Sequence, residues 1–429
     1  MKLSSYNLII YKSPYSYWYN TFTKNFFRLS MELGEKVSAR LEEGPGEETD
    51  LPASLMDKLK EGGFLIDDDF NETEAVKDLF KKAVNRKNYF MVVLPTLDCN
   101  YHCWYCIQNH VDSKMSDETL KRIKLHIGHM VNVEKIESLH LDWFGGEPLL
   151  YFHEIIEPVS RYAMGVCEKA GIPFMNSTTT NGYFLTKDKA QLCKELQFLQ
   201  FQITLDGNRE FHDNVKFQKG CESTFNHVLA NIDRLLSLYE EINFVLRINY
   251  THKNLSPSIV DEVNAFISTA NRGKITILPR KVWQEKIDRS FSTTLYSILD
   301  RFKEEGYKVE YWSPISNYMP CYASSKYYNA FNFNGNVVKC TACNDLYDDN
   351  PRGILLEDGT IEWSGRFDER YTEPTFCNER CLKCRKLPIC MGLCPKEHVN
   401  GSSYCKEEIM DSPFSDSIVN FIDRCYKND

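Results

Sequence analysis

The chain has 429 residues and a formal charge of −9, which excludes the basic footprint of a nucleic-acid binder. That length leaves room for about two to three domains. Hydrophobic residues supply 42% of it and aromatic residues 13%, the composition of a folded globular protein. No apolar run approaches the roughly 18 residues of a membrane span. The N-terminus also lacks the basic, apolar and small-residue zones of a signal peptide. A soluble, cytoplasmic chain with no nucleic-acid and no membrane partner is therefore expected. In that reducing compartment, sixteen cysteines read as metal ligands rather than disulfides.

Residues 1–87 read as a small α+β unit. Tyr6–Tyr11 and Tyr15–Tyr19 predict short strands, and Met31–Leu41 predicts a helix before an acidic Gly- and Pro-containing linker over 42–50. A helix over 51–60, an apolar strand Phe64–Ile66 and a helix over 72–83 complete it. This could be a winged-helix-like module or a cap on the main domain. From Tyr89 the pattern changes to short apolar runs alternating with amphipathic helices. Strands are predicted at Tyr89–Leu94, Ser138–Trp143, Phe174–Thr178, Phe201–Leu205, Phe244–Tyr250 and Lys274–Leu278. Helices fall at Asp117–Met130, with Ser116 as N-cap, then at Glu154–Ala170, Lys187–Leu196, Ser223–Tyr239, Ser256–Thr269 and Ser292–Glu305. Six strand–helix repeats over residues 88–310 predict an α/β fold, a partial (β/α)6 parallel barrel whose site lies at the C-terminal ends of its strands. Residues 311–429 hold ten of the sixteen cysteines with little periodicity, a stretch expected to need metal to fold.

Just past the first barrel strand stand Cys99, Cys103 and Cys106, at spacing C-x3-C-x2-C. Three thiolates in eight residues can hold one face of an iron–sulfur cluster while leaving one iron open to another ligand. A zinc site is the competing reading, with His102 or His110 as a fourth ligand. Gly145-Gly146-Glu147-Pro148 follows the second strand, where glycines permit close backbone approach to a ligand and Glu147 can accept from a cationic group. Thr180-Asn181 ends the third strand and Thr204-Leu205-Asp206 the fourth. Arg247 and Asn249 share one face of the fifth, and an Arg there can hold a carboxylate in two-pronged fashion. Each pair alone could be turn chemistry or an ion pair; four successive strand ends together point to a ligand. Near the C-terminus, Cys321, Gly335 and Cys340 are spaced C-x13-G-x4-C. Cys381, Cys384, Cys390 and Cys394 are spaced C-x2-C-x5-C-x3-C, with Cys405 beyond. A zinc-ribbon scaffold is the plainer reading of this last set. Cys167 and Cys193 fall within helices and read as buried core thiols.

Over roughly residues 88–410 these motifs resemble the radical S-adenosylmethionine (SAM) family with a C-terminal SPASM extension, down to the aromatic Tyr105 before the third cysteine. The resemblance implies three 4Fe–4S clusters. Cys99, Cys103 and Cys106 would bind the SAM-ligating one, and Cys381, Cys384, Cys390 and Cys405 an outer auxiliary one. Cys321, Cys340 and Cys394 would bind an inner one, completed by Cys343, by Cys377 or by no protein ligand. It puts Gly145–Pro148 at the methionine amino group of SAM and places Thr204, Arg247 and Asn249 near SAM. The implied activity is reductive cleavage of SAM to a 5′-deoxyadenosyl radical that takes hydrogen from a peptide. The oxidised product would be a carbon–carbon, carbon–oxygen or thioether cross-link. Implied partners are a ribosomally made precursor peptide with a leader, and an electron donor such as flavodoxin or ferredoxin. A sulfatase-maturing, formylglycine-generating enzyme is the related alternative. Its pattern has an acid after the second cysteine of the C-x13-G-x4-C set, where this chain has Thr341. A non-catalytic iron–sulfur or zinc scaffold is the alternative of another class.

Overall fold

The computed structural model describes residues 1–42, 51–285, 291–311, 320–342, 344–349, 351–364, 375–392, 394–399, 405 and 414–426. The chain forms two units. One comprises Met1–Arg86, Trp312–Lys326 and Asp368–Asp429, and the other Lys87–Tyr311 and Tyr327–Phe367. Among the described residues no helix is long and apolar enough to cross a membrane.

The first unit begins with β1 (Lys2–Leu3), β2 (Asn7–Lys12), β3 (Tyr15–Asn20) and β4 (Phe26–Ser30), followed by α1 (Met31–Glu42), α2 (Ala53–Glu61), β5 (Leu65–Ile66) and α3 (Glu72–Val84). Strands β2, β3 and β4 form an antiparallel sheet in that order. Sequence reading missed β4, which is created by a turn. Lys24 sits at φ 64°, and the Asn20 side chain accepts from the Phe22 and Thr23 amides at 3.0 and 2.8 Å, a short polar side chain closing a loop on its own backbone.

The second unit is built on β6 (Asn88–Val93), α4 (Asp117–Asn132), β7 (Ser138–Trp143), α5 (Glu157–Ala170), β8 (Phe174–Thr180), α6 (Lys187–Glu195) and β9 (Phe198–Leu205). It continues with α7 (Arg209–Val215), α8 (Thr224–Leu236), β10 (Asn243–Tyr250), α9 (Ser258–Asn264), α10 (Thr269–Arg272), β11 (Ile275–Lys281), α11 (Phe291–Glu304) and β12 (Lys308–Val309). Strands β6 to β11 are parallel neighbours in chain order, the expected partial barrel. Alternation sets its two faces. Leu139, Leu141 and Trp143 of β7 join the helix-covered core, while His140 and Asp142 between them point to the other side. Ser116 caps α4 as expected, its hydroxyl accepting from the Thr119 amide at 3.1 Å. Cys167 and Cys193 are fully buried in the core, also as expected.

The sheet continues beyond β6. Strand β13 (Tyr328–Phe331) pairs with it in parallel, and β14 (Asn336–Val338), β15 (Gly353–Leu355) and β16 (Ile361–Trp363) follow as antiparallel hairpins. Gly335, at φ +89°, makes the β13–β14 turn, a conformation glycine adopts without strain. One buried tether fastens these hairpins to the barrel. His126 of α4 meets the Tyr89 hydroxyl and the Gly359 carbonyl, each at 2.7 Å.

The first unit is completed by α12 (Glu379–Leu382), α13 (Leu387–Cys390), α14 (Pro395–Val399) and α15 (Phe414–Cys425). Tyr17 and Tyr19 of β3 share a core with Ile418, Val419 and Ile422 of α15. Tyr6, Val76 and Phe80 share another with Leu387 and Met391. The two ends of the sequence thus fold as one body around the cysteine-bearing segment.

Candidate metal centre and cofactor pocket

The cysteine tripod is carried by the loop leaving β6. Its base is pinned before the first cysteine: Thr96 donates to the Ser113 carbonyl at 2.6 Å and accepts from the Asp98 amide at 2.8 Å, and the Leu97 amide donates to the Ser113 hydroxyl at 2.9 Å. Cys99 and Cys103 are half-buried and Cys106 is exposed. The three thiols lie within electrostatic range of one another. Burial pushes the Cys99 thiol up to about 12, with the Glu147 carboxylate adding to it. A bound metal cation reverses that penalty, because thiolate is the ligating form. The Tyr101 amide donates to Cys99 Sγ at 3.4 Å, and Asn181 Nδ2 lies 3.9 Å from the same sulfur. Such donors suit a cluster-bound thiolate. Among the described residues no three His, Cys, Asp or Glu side chains converge on a single-ion site.

The Gly145–Pro148 segment braces this loop. A side chain on Gly145 would collide with the Thr96 carbonyl, and one on Gly146 with the Asp98 carbonyl. The Gly146 and Glu147 amides donate to those carbonyls at 3.1 and 2.8 Å. The glycines therefore permit close approach to the cluster loop itself, where sequence reading expected approach to a ligand. Glu147 has partners within the protein as well. Its side chain is fully buried and accepts from the Leu149 amide, the Thr180 hydroxyl and the Asn181 amide at 2.9, 2.7 and 2.8 Å. Burial raises its pKa and these donors oppose the rise. The carboxylate ties the end of β7 to the end of β8. Pro148, buried, opens the turn that follows. Asn181 completes the connection by donating to Asn100 of the cluster loop at 2.8 Å.

The fourth and fifth strands converge on Asp206. Register pairs Arg247 of β10 with Thr204 of β9, and Arg247 donates to Asn249 at 2.8 Å, so the expected shared face is present. Asp206 is buried and accepts from the Tyr105 hydroxyl at 2.6 Å and from Asn249 at 3.3 Å. Its other oxygen lacks a hydrogen-bond partner and lies 3.2 Å from the ammonium of Lys216, an ion pair without hydrogen-bond alignment. Lys216, also buried, donates to the Thr204 carbonyl at 2.7 Å. Sequence reading missed Lys216, which carries no motif and lies just past a short helix, α7, that it did not predict. Beside this network opens a cavity of about 350 Å3, lined by Trp104 and Tyr105 and by residues following β9, β10 and β11, among them Asp206, Thr251 and Val282. Asn254, Lys253 and Glu285 also line it.

In the first unit, Cys381 lies within electrostatic range of Cys390, Cys384 and Cys405, so the four residues expected to form the outer set are neighbours. The Lys386 amide donates to Cys384 Sγ at 3.4 Å, and the Lys386 ammonium feels Cys384, Cys405 and Cys390. Of the inner set, Cys394 precedes α14, which touches the turn Tyr322–Ser324 that follows Cys321; Cys340 belongs to the second unit. Cys343 and the Cys377 side chain lie outside the described residues.

The family model of the radical SAM superfamily matches residues 93–255, the segment from the end of β6 to just beyond β10. The cysteine-type anaerobic sulfatase-maturating enzyme of Clostridium novyi is 27% identical over 203 residues, 45% of this chain and 51% of that protein, so the match spans about half of the relative. The radical SAM cyclopropyl synthase TigE of Paramaledivibacter caminithermalis is 23% identical over 391 residues, 79% of this chain and 76% of that protein. Among solved structures, Streptococcus suis SuiB bound to the precursor peptide SuiA aligns with a TM-score of 0.51 at 15% identity, covering 97% of this chain and 99% of that one. That likeness is one of fold. The segment that matches the radical SAM superfamily model thus carries the tripod loop and the ends of the first five parallel strands.

Proposed function

We propose that the chain is a radical SAM peptide maturase that introduces an oxidative cross-link into a ribosomally made precursor peptide. The observation that carries this is the tripod of Cys99, Cys103 and Cys106, with N–H donors on its first sulfur, beside a nucleoside-sized cavity at the barrel mouth. The chemistry supplied by a bound 4Fe–4S cluster and SAM is reductive cleavage of SAM and hydrogen abstraction from a peptide C–H bond. The chain's own part is to hold and aim. Gly145–Glu147 lock the cluster loop to β7 and β8. Tyr105, Asp206, Asn249 and Lys216 fix the wall of the cavity, and Thr204 and Arg247 stand on neighbouring strands beside them. The proposal extends to two auxiliary clusters, one on Cys381, Cys384, Cys390 and Cys405 and one on Cys321, Cys340 and Cys394, as acceptors of the electron left after substrate oxidation. A leader peptide adding a strand to an edge of the β2–β3–β4 sheet, by main-chain pairing, and a flavodoxin- or ferredoxin-type donor in the cytoplasm complete it. A peptide substrate is favoured because proteins similar to this chain include a sulfatase-maturating enzyme and a fold neighbour bound to its precursor peptide. Thr341 in place of an acid disfavours the sulfatase-type reaction. The test is to purify the chain without oxygen and count its iron. About twelve irons per chain are expected for three clusters, and zinc in their place contradicts the proposal.

A further inference from the structure

Among the described residues, four of the five most exposed large apolar side chains stand at the mouth of the parallel barrel. They are Trp283 at 80%, Phe217 at 68%, Ile107 at 59% and Trp104 at 55%; the fifth, Val133, ends α4. Single apolar side chains scattered over a surface are ordinary, whereas a group gathered around an opening marks a binding surface.

Hydrogen bonds hold the segments that carry these side chains to the tripod loop. Trp104 and Ile107 flank Cys106 on that loop. Trp283 lies between Val282, which lines the cavity of about 350 Å3, and Gln284, whose Nε2 donates to the Tyr105 carbonyl at 2.9 Å. Phe217 lies between Lys216, the buried partner of Asp206, and Gln218, whose Oε1 accepts from Asn100 of the tripod loop at 3.1 Å. Trp104 itself lines the cavity and meets the Tyr105 ring edge-on, with centroids 5.6 Å apart. The apolar part of the cavity wall, with Val215, Val282 and Trp104, is thus continued outward by the exposed side chains of three tethered segments.

Charge and shape select the occupant. Exposed Lys219, Lys253 and Arg280 stand on the segments 215–220, 251–254 and 279–285, whose one acid, Glu285, lies 3.3 Å from His252 Nδ1. A basic surround on a chain of charge −9 suits an apolar side chain flanked by carboxylates. What these side chains hold must also bring a C–H bond to the edge of the cavity. An extended peptide does both, and a folded protein stops outside.

We infer that Trp104, Ile107, Phe217 and Trp283 form a collar that grips an aromatic or large aliphatic side chain of the peptide substrate, with acidic residues of the peptide facing the basic surround. The inference rests on the proposed function and names the class of peptide on which it acts. These four are specificity residues: they hold the peptide and take no part in making or breaking bonds.

The test uses the full chain purified without oxygen and two capped octapeptides, Gly-Ser-Glu-Ser-Trp-Ser-Glu-Gly and the same sequence with Ala in place of Trp. Titration calorimetry should show the Trp peptide binding about 10-fold more tightly than the Ala peptide, the worth of one buried aromatic side chain. Trp283→Ala should remove most of that preference, and Trp283→Phe should keep it. The unfolding midpoint of Trp283→Ala should match the parent's, because so exposed a side chain adds little to the core. No preference for the Trp peptide in a parent that cleaves SAM under dithionite overturns the inference alone. So does a preference that survives in both Trp283→Ala and Phe217→Ala. A changed oligomeric state, or slower reduction by a flavodoxin, with peptide binding unchanged assigns the surface to another partner and also overturns it. A parent that releases no 5′-deoxyadenosine overturns the proposed function, and the inference with it.

Discussion

Replacing Glu147 with Gln separates a carboxylate that braces the fold from one that meets a ligand. The side chain is fully buried and accepts three hydrogen bonds. A Gln oxygen can keep the Leu149 and Thr180 donors, but its amide nitrogen then faces the Asn181 N–H, donor against donor. Losing one charge-assisted bond and stranding that donor costs about 3 kcal/mol. Relief of the desolvation that raises the Glu147 pKa offsets part of this, leaving about 2 kcal/mol, or roughly a 30-fold rise in local opening. Native-state hydrogen exchange over residues 144–150 and 178–183 of the SAM-free protein should therefore quicken by that factor, while distant peptides stay unchanged. The opposite pattern, unchanged exchange with weakened SAM binding, would refute the brace and restore the ligand-contact role expected from sequence.

Two further perturbations test other parts of the account. His126 is buried and held neutral between Tyr89 and Gly359, its pKa lowered from 6.5 to about 4 by burial. The stability it lends is present above about pH 6.5 and is lost as pH falls towards 4, a span of about 3 kcal/mol. His126→Phe should flatten the dependence of the denaturant midpoint on pH in that window relative to the parent protein, in which His140 titrates in the same direction. An identical slope in both proteins contradicts the tether. Lys216→Met strands the buried Asp206 charge and should lower stability by about 3–5 kcal/mol. Adding Asp206→Asn should recover part of that loss, and simple additivity in the double-mutant cycle would show that the pair is not coupled.

Local signals were legible and distant ones were not. Strand β7 ends where alternation predicted it. Spacing drew attention to Cys99, Cys103 and Cys106, and the family resemblance grouped Cys381 with Cys384, Cys390 and Cys405, which lie within electrostatic range of it in the fold. Elements went astray where backbone chemistry overrode periodicity. Helix α5 begins at Glu157 rather than Glu154 because residues Phe152–Ile156 wind as a wider π turn. The single helix expected over Ser256–Thr269 divides into α9 and α10 where the Ser268 amide and hydroxyl turn aside to Asp233. Lys216 and the Asn181–Cys99 contact were illegible for another reason. Each owes its meaning to a partner brought close only by the fold, and a lone lysine or asparagine carries no spacing. Likewise, nothing local signals that α15 packs on β3, some 400 residues away in sequence, as in the Tyr17–Asp423 hydrogen bond of 2.9 Å.

The central claim is that Cys99, Cys103 and Cys106 hold the centre that cleaves SAM. Its most direct test compares the oxygen-free, dithionite-reduced parent with the triple Cys→Ala variant for release of 5′-deoxyadenosine from SAM. The account predicts steady release by the parent, none by the variant, and retention of about eight irons in the variant. Continued release by the variant would contradict it.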